Sequence, residues 1–135
     1  MILFIDDEKR YSQIYKEELE LSGYKVVYFN DVADSLDFFN KNYENILVVI
    51  LDIMMPPGKK FKLEDTEYGL RTGIKLYELI REKSPEIPVI IFTNVTEENV
   101  IKKFQKEKQC FYILKENFFP SELVEEIQKI IKPVP

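Results

Sequence analysis

Histidine is missing from this chain altogether, and cysteine occurs once, at Cys110. The first absence removes Ser-His and Cys-His nucleophile pairs and every His-ligated zinc site. The single thiol excludes an internal disulfide and a cysteine metal cluster, and it fits a reducing cytosol. Long apolar runs are missing too. The longest, Ile46 to Leu51, is far too short to cross a bilayer. Only five residues precede the acidic Asp6-Asp7 pair, so the sequence reads as having no secretory signal and as cytoplasmic. Basic charge is in the minority, with 19 Lys plus Arg against 24 Asp plus Glu. Such a domain repels phosphate backbones, which argues against direct nucleic-acid binding. Carboxylates, Lys, Arg, Thr, Ser, Tyr or a bound cation are left to carry any chemistry.

The 135 residues suffice for one domain with a buried core. Five short apolar runs recur: Ile2–Ile5, Val26–Phe29, Ile46–Leu51, Val89–Phe92 and Phe111–Leu114. Each is continuous rather than alternating, which predicts strands buried on both faces of a parallel sheet. Helical periods lie between them. Tyr11, Ile14, Tyr15 and Leu19 form one stripe, with Gly23 as its stop. Val32, Leu36, Phe39 and Tyr43 form the next, capped by Asn30 or Asp31. Leu70, Ile74, Tyr77 and Ile80 form a third. Thr96 is placed to cap a fourth, carrying Val100, Ile101 and Phe104 on a basic helix. Pro120 opens a fifth with Leu123, Ile127 and Ile130. Strand and helix thus alternate five times, the pattern of an α/β doubly wound parallel sheet with helices on both faces. Most Phe and Tyr side chains are expected to pack between these layers. One link is too long for this plan. The stretch after the third strand, at about residues 57–69, carries basic and then acidic clusters and reads as an insertion: a surface loop, or a lid or partner contact.

In such sheets, sites form at the carboxyl ends of the strands. The first strand ends in Asp6-Asp7-Glu8, the third in Asp52, the fourth in Thr93-Asn94 and the fifth in Lys115. Crowded carboxylates oppose one another's ionisation, and a hard divalent cation relieves them. Without histidine, Mg²⁺ is the natural choice. Acid, cation, ammonium and hydroxyl together suit a phosphoryl group, and an aspartate such as Asp52 can act as nucleophile. Plainer readings exist for each residue: a helix cap at Asp6-Asp7, a loop carboxylate at Asp52, an ordinary strand-end Thr93, a surface Lys115.

This ordered set, with Met55-Pro56 after Asp52, resembles the receiver domain of two-component response regulators, over nearly the whole chain. The resemblance implies a single-domain, CheY-like receiver over residues 1–132 with a tail at 133–135, and a flavodoxin-like strand order 2-1-3-4-5. It also implies the roles. Asp52 is the phosphoacceptor. Asp7, Asp6, Asp52 and the Met54 carbonyl hold Mg²⁺, Asp6 often through water. Lys115 pairs with a phosphoryl oxygen, and Thr93 and Tyr112 form the switch. The partners implied are a sensor histidine kinase or phosphotransfer protein and a downstream protein target. Neither membrane binding nor turnover beyond self-phosphorylation and self-dephosphorylation is expected. With no output domain visible, action by protein–protein contact is expected.

Asn94 departs from the small residue the family favours there, and Glu116 departs from proline. Gly73 resembles the family's glycine after the phosphoacceptor but comes about a dozen residues late. Met54 and Val95 flank the approach of water in this family. Both are apolar here, which predicts slow self-dephosphorylation. Two alternatives remain: a phosphorylation-independent interaction module, and a Mg²⁺-dependent aspartyl phosphohydrolase, against which Met54 stands where a second Asp is favoured. A flavin site is disfavoured, because Asp6-Asp7-Glu8 replaces a phosphate-cradling loop.

Overall fold

The computed structural model describes residues 1–131. The expected boundary at Lys132 and the tail 133–135 lie outside the described residues. Five parallel strands, β1 (Ile2–Ile5), β2 (Val26–Phe29), β3 (Val48–Leu51), β4 (Val89–Thr93) and β5 (Cys110–Leu114), form one sheet in the order β2-β1-β3-β4-β5. Helices α1 (Lys9–Leu21), α2 (Val32–Asn42), α3 (Thr72–Lys83), α4 (Glu98–Gln105) and α5 (Pro120–Ile130) connect or follow them. This is the doubly wound architecture expected from the sequence.

Continuous apolar strands are required because each strand feeds two cores. Leu3, Ile5, Val49, Leu51 and Ile91 face α2, α3 and α4, where they meet Leu36, Phe39, Leu76, Tyr77 and Phe104. Ile2, Phe4, Val48, Ile50 and Phe92 point the other way, onto Tyr15 and Leu19 of α1 and Leu123 and Ile127 of α5. Alternate residues of one strand thus close both layers. Among the described residues, Tyr68 and Phe119 are the only exposed aromatic rings.

Local signals explain three of the helix ends. After α1, Gly23 has φ +97°, and its N–H donates to Glu20 O while that of Tyr24 donates to Leu19 O. That pair of bonds is the Schellman stop glycine permits. Asp31 caps α2 by accepting from Asp34 N at 2.9 Å. Pro120 sits in the first turn of α5, where its missing N–H costs nothing.

Three expectations need correction. Helix α4 starts after Glu97, not Thr96, and the Glu97 side chain makes no capping bond because Arg71 takes it, Nη2 to Oε2 at 2.6 Å. Strand β3 starts at Val48 rather than Ile46, since a 3-10 turn (Tyr43–Asn45) runs into Ile46 and leaves Leu47 half exposed. Leu70 precedes α3 and is exposed, because a turn between Thr66 and Arg71 (Arg71 N to Thr66 O, 2.9 Å) delays the helix to Thr72.

The insertion is structured. Its 3-10 turn, Glu64–Thr66, buries Thr66, whose hydroxyl contacts Leu63 O and accepts from Gly69 N. Met55 N donates to Gly69 O at 3.0 Å, and the Thr72 hydroxyl donates to Met55 O. The extra residues therefore leave and rejoin the chain at neighbouring points, so the rest of the fold keeps its register.

Candidate functional site

Strand pairing brings the two buried acids side by side. Ile5 pairs with Leu51, so Asp6 and Asp52 stand next to each other one residue further on, and Asp52 N donates to Ile5 O at 3.1 Å. Thr93 ends β4, and its partner Leu114 directly precedes Lys115. Asp6, Asp52, Thr93 and Lys115 are all buried, while Asp7 is exposed.

Carboxylate oxygens of Asp6, Asp7 and Asp52 lie within 4.8 Å of one another. The Lys115 ammonium stands between the two buried ones, 2.7 Å from Asp6 Oδ2 and 2.8 Å from Asp52 Oδ2. It donates to Asp52, whereas Asp6 Oδ2 receives no properly directed hydrogen bond. Asp6 Oδ1 accepts from Glu8 N at 2.9 Å, and Asp52 Oδ1 from Ile53 N at 2.7 Å. The Asp6 backbone is itself held by the Tyr28 hydroxyl, which donates to its carbonyl.

Two acids and one ammonium leave an excess of negative charge. Burial and then the charge of Asp52 push the Asp6 carboxyl up to about 6, against the pull of Lys115. Asp7 is raised by the same two causes. Burial would lower Lys115, but Asp52 and Asp6 outweigh it and hold the ammonium above its ordinary value. The donor set is all oxygen, contains a buried oxygen without a hydrogen bond, and opens to solvent through Asp7. These residues fit a hard divalent cation such as Mg²⁺.

Thr93 Oγ1 accepts from Val95 N at 3.4 Å, a long contact that leaves the hydroxyl available. Tyr112 is half-buried against Phe104, ring centres 6.0 Å apart, and its hydroxyl donates to Val95 O at 2.6 Å. Burial, then Asp52 and Glu97, push that hydroxyl up to about 12, so it remains a donor. Met54 is half exposed. With Ile53, Arg71, Val95, Glu97 and Val100 it lines a cleft of about 440 Å³ between the insertion and the loop before α4.

The sequence model described as "Response regulator receiver domain" matches residues 2–128. The chain belongs to this family. Receiver domains are signalling domains of two-component systems, and relatives of this one are transcriptional regulators. A probable transcriptional regulator ycf27 of Porphyridium aerugineum is 29% identical over 133 residues, 98% of this chain and 48% of that protein. The transcriptional regulatory protein CpxR of Escherichia coli is 28% identical over 92 residues, 68% of this chain and 32% of that protein. The chain thus spans half or less of the curated relatives it matches. Among solved structures, a response regulator receiver domain protein from Clostridium thermocellum has a TM-score of 0.75 at 28% identity, covering 96% of this chain and 92% of that one. The receiver domain of NtrX from Brucella abortus has a TM-score of 0.76 at 20% identity, covering 99% and 100%, a likeness of fold. No helix among the described residues is long and apolar enough to cross a membrane.

Four contacts around this site were not foreseen, although Gly73 and Asn94 had been singled out in the sequence. Gly73 packs directly on the Asp52 and Ile53 backbone, with Gly73 N donating to Ile53 O at 2.8 Å. Arg71, between the insertion and α3, reaches across to Glu97. The Asn94 side chain accepts from Glu116 N at 3.1 Å. Tyr11, read only as part of a helix stripe, lies over the Lys115 ammonium at 5.2 Å. The late glycine and the two departures at 94 and 116 were visible signals; the partners were not.

Proposed function

We propose that this receiver accepts a phosphoryl group on Asp52 from a sensor histidine kinase or phosphotransfer protein. One observation carries the reading: a buried ammonium is shared between two buried carboxylates, while a third carboxylate opens their cluster to solvent. An ion pair kept only for stability has no use for the excess acid.

Asp6, Asp7, Asp52 and the Met54 carbonyl would hold Mg²⁺, which supplies positive charge to the phosphoryl oxygens when bound. In the transfer, an Asp52 carboxylate oxygen forms a bond to phosphorus as the donor's N–P bond breaks, and the electron pair of that bond stays on the donor's imidazole nitrogen. Lys115 stays protonated throughout, as its raised pKa requires, and offers its N–H groups to a phosphoryl oxygen. Thr93 donates its hydroxyl to the same group. Its movement alters the loop through Val95, whose carbonyl accepts from Tyr112, so occupancy of Asp52 biases the face formed by α4, β5 and α5. That face is where a downstream protein target would read the state. The role is signalling rather than turnover, and the position two residues after Asp52, Met54, offers no acid or base for hydrolysis. The absence of disulfide-capable cysteine pairs supports action in the cytoplasm.

Intact mass after incubation with Mg²⁺ and acetyl phosphate tests this. The parent protein gains one phosphoryl group and Asp52→Asn gains none. No adduct, together with no Mg²⁺ binding, would favour a phosphorylation-independent interaction module.

A further inference from the structure

Lys115 opens a 3-10 turn (Lys115–Asn117), and its long side chain can place an ammonium only as well as that turn is held. Two side chains from other elements fasten the peptide unit that follows it. On the carbonyl side, the Tyr11 hydroxyl donates to Lys115 O at 3.2 Å. On the amide side, Glu116 N donates to Asn94 Oδ1 at 3.1 Å. Tyr11 also lies with its ring 5.2 Å from Lys115 Nζ, and its hydroxyl is 3.0 Å from that of Tyr15, which donates to Phe118 O at 2.6 Å. The turn is thus tied to α1 on one side and to the residue after Thr93 on the other. Residue 116 presents an N–H that needs an acceptor, and residue 94 supplies one that a smaller side chain could not extend across the gap.

We propose that Asn94 and Tyr11 are positioning residues for Lys115, with Asn94 making the Thr93 loop and the Lys115 turn move as one unit. This rests on the phosphoacceptor reading above. A shift of Thr93 towards a phosphoryl group carries Asn94 with it. Asn94 in turn draws on the Glu116 amide, so hydroxyl and ammonium close on the group together. The loop before α4 and the turn before α5 are then coupled through a hydrogen bond at the site itself, in addition to the Tyr112 contact.

The test follows phosphoryl adduct formation with Mg²⁺ and saturating acetyl phosphate in the parent, Asn94→Ala, Asn94→Asp and Tyr11→Phe. Loss of one net hydrogen bond predicts a rate constant lower by about three- to fivefold in Asn94→Ala and Tyr11→Phe. Mg²⁺ affinity should stay within about twofold of the parent, because its proposed ligands are untouched. Asn94→Asp, which keeps an acceptor oxygen, should recover most of the rate. A purely structural role would lower the melting temperature without separating rate from metal affinity. The Glu116 amide proton resonance provides a check independent of phosphorylation, and it should move in Asn94→Ala. An unmoved resonance, or an Asn94→Ala variant reacting at the parent rate, overturns the inference while the parent's adduct leaves the phosphoacceptor reading intact. No adduct on the parent overturns both.

Discussion

Gly73→Ala should disable the site from outside it. An ideal Cβ at Gly73 would lie 2.1 Å from Asp52 O and 2.6 Å from Ile53 Cα. A carbon–oxygen contact needs about 3.3 Å, so α3 and the Asp52 backbone would have to part by about 1.2 Å. Neither can move cheaply. Leu76, Tyr77 and Ile80 anchor α3 in the core, and Asp52 is fixed by the sheet and by its bond to Ile5 O. Overpacking of this kind costs about 1–3 kcal/mol, which lowers the melting temperature of a domain this size by roughly 4–11 °C. A displacement of about 1 Å at a reacting carboxylate costs on the order of a hundredfold in rate. Calorimetry and the acetyl phosphate assay measure the two effects separately. Gly23→Ala is the control: its φ of +97° strains an alanine by about 1–2 kcal/mol, but nothing lies within 4 Å of its Cβ and it is remote from the acids. It should melt earlier yet phosphorylate normally. A Gly73→Ala variant that melted and reacted like the parent would refute the account of how α3 packs on the backbone of Asp52.

Further outcomes follow from the same geometry. The folded-state value of Asp6, about 6, lies above its unfolded value of 3.8, so its favourable contribution is complete below about pH 4 and is lost as pH rises through 6. In chelator at pH 7, Asp6→Asn should therefore be more stable than the parent by up to about 3 kcal/mol, and thermal melts with added Mg²⁺ should shrink that gap. Lys115→Met leaves Asp6 and Asp52 buried without their shared cation, and should destabilise the metal-free protein by about 3–5 kcal/mol in urea unfolding at pH 7. Met54→Asn puts a group able to orient water at the rim now formed by Met54 and Val95. Decay of the phosphoryl adduct, followed by mass, should quicken by about tenfold, short of the roughly hundredfold of a fully positioned base. Arg71→Ala removes surface ion pairs with Glu67 and Glu97 and should cost about 1 kcal/mol or less on a denaturant curve.

Much of the architecture was readable because parallel strands buried on both faces leave a plain mark. Ile2–Ile5 and Val26–Phe29 are strands with the limits their apolar runs suggest, and Gly23 and Asp31 end and begin helices through local backbone chemistry. The acids, Thr93 and Lys115 were equally visible, since each directly follows or ends a run and a parallel sheet brings such ends to one edge. Misplaced boundaries had non-local causes. Thr96 is a better cap than Glu97 by local preference, but Arg71, 26 residues away in sequence, positions Glu97. Leu70 fits the helical period, but the turn closed by Thr66 and Gly69 excludes it.

The alternation of strands and helices, the set of residues at the strand ends and the excess of acid among them were legible in the order of amino acids, because these depend on periodicity and on residue type. Folding in three dimensions is what buries Lys115 between Asp6 and Asp52, sets Gly73 against the backbone of Asp52 despite the long insertion, and brings Asn94 to the amide of Glu116. Each of those contacts joins segments separated by 20 or more positions. Chain chemistry between neighbours carries no record of them; they arise from the strand register that stacks the segments at one edge of the sheet.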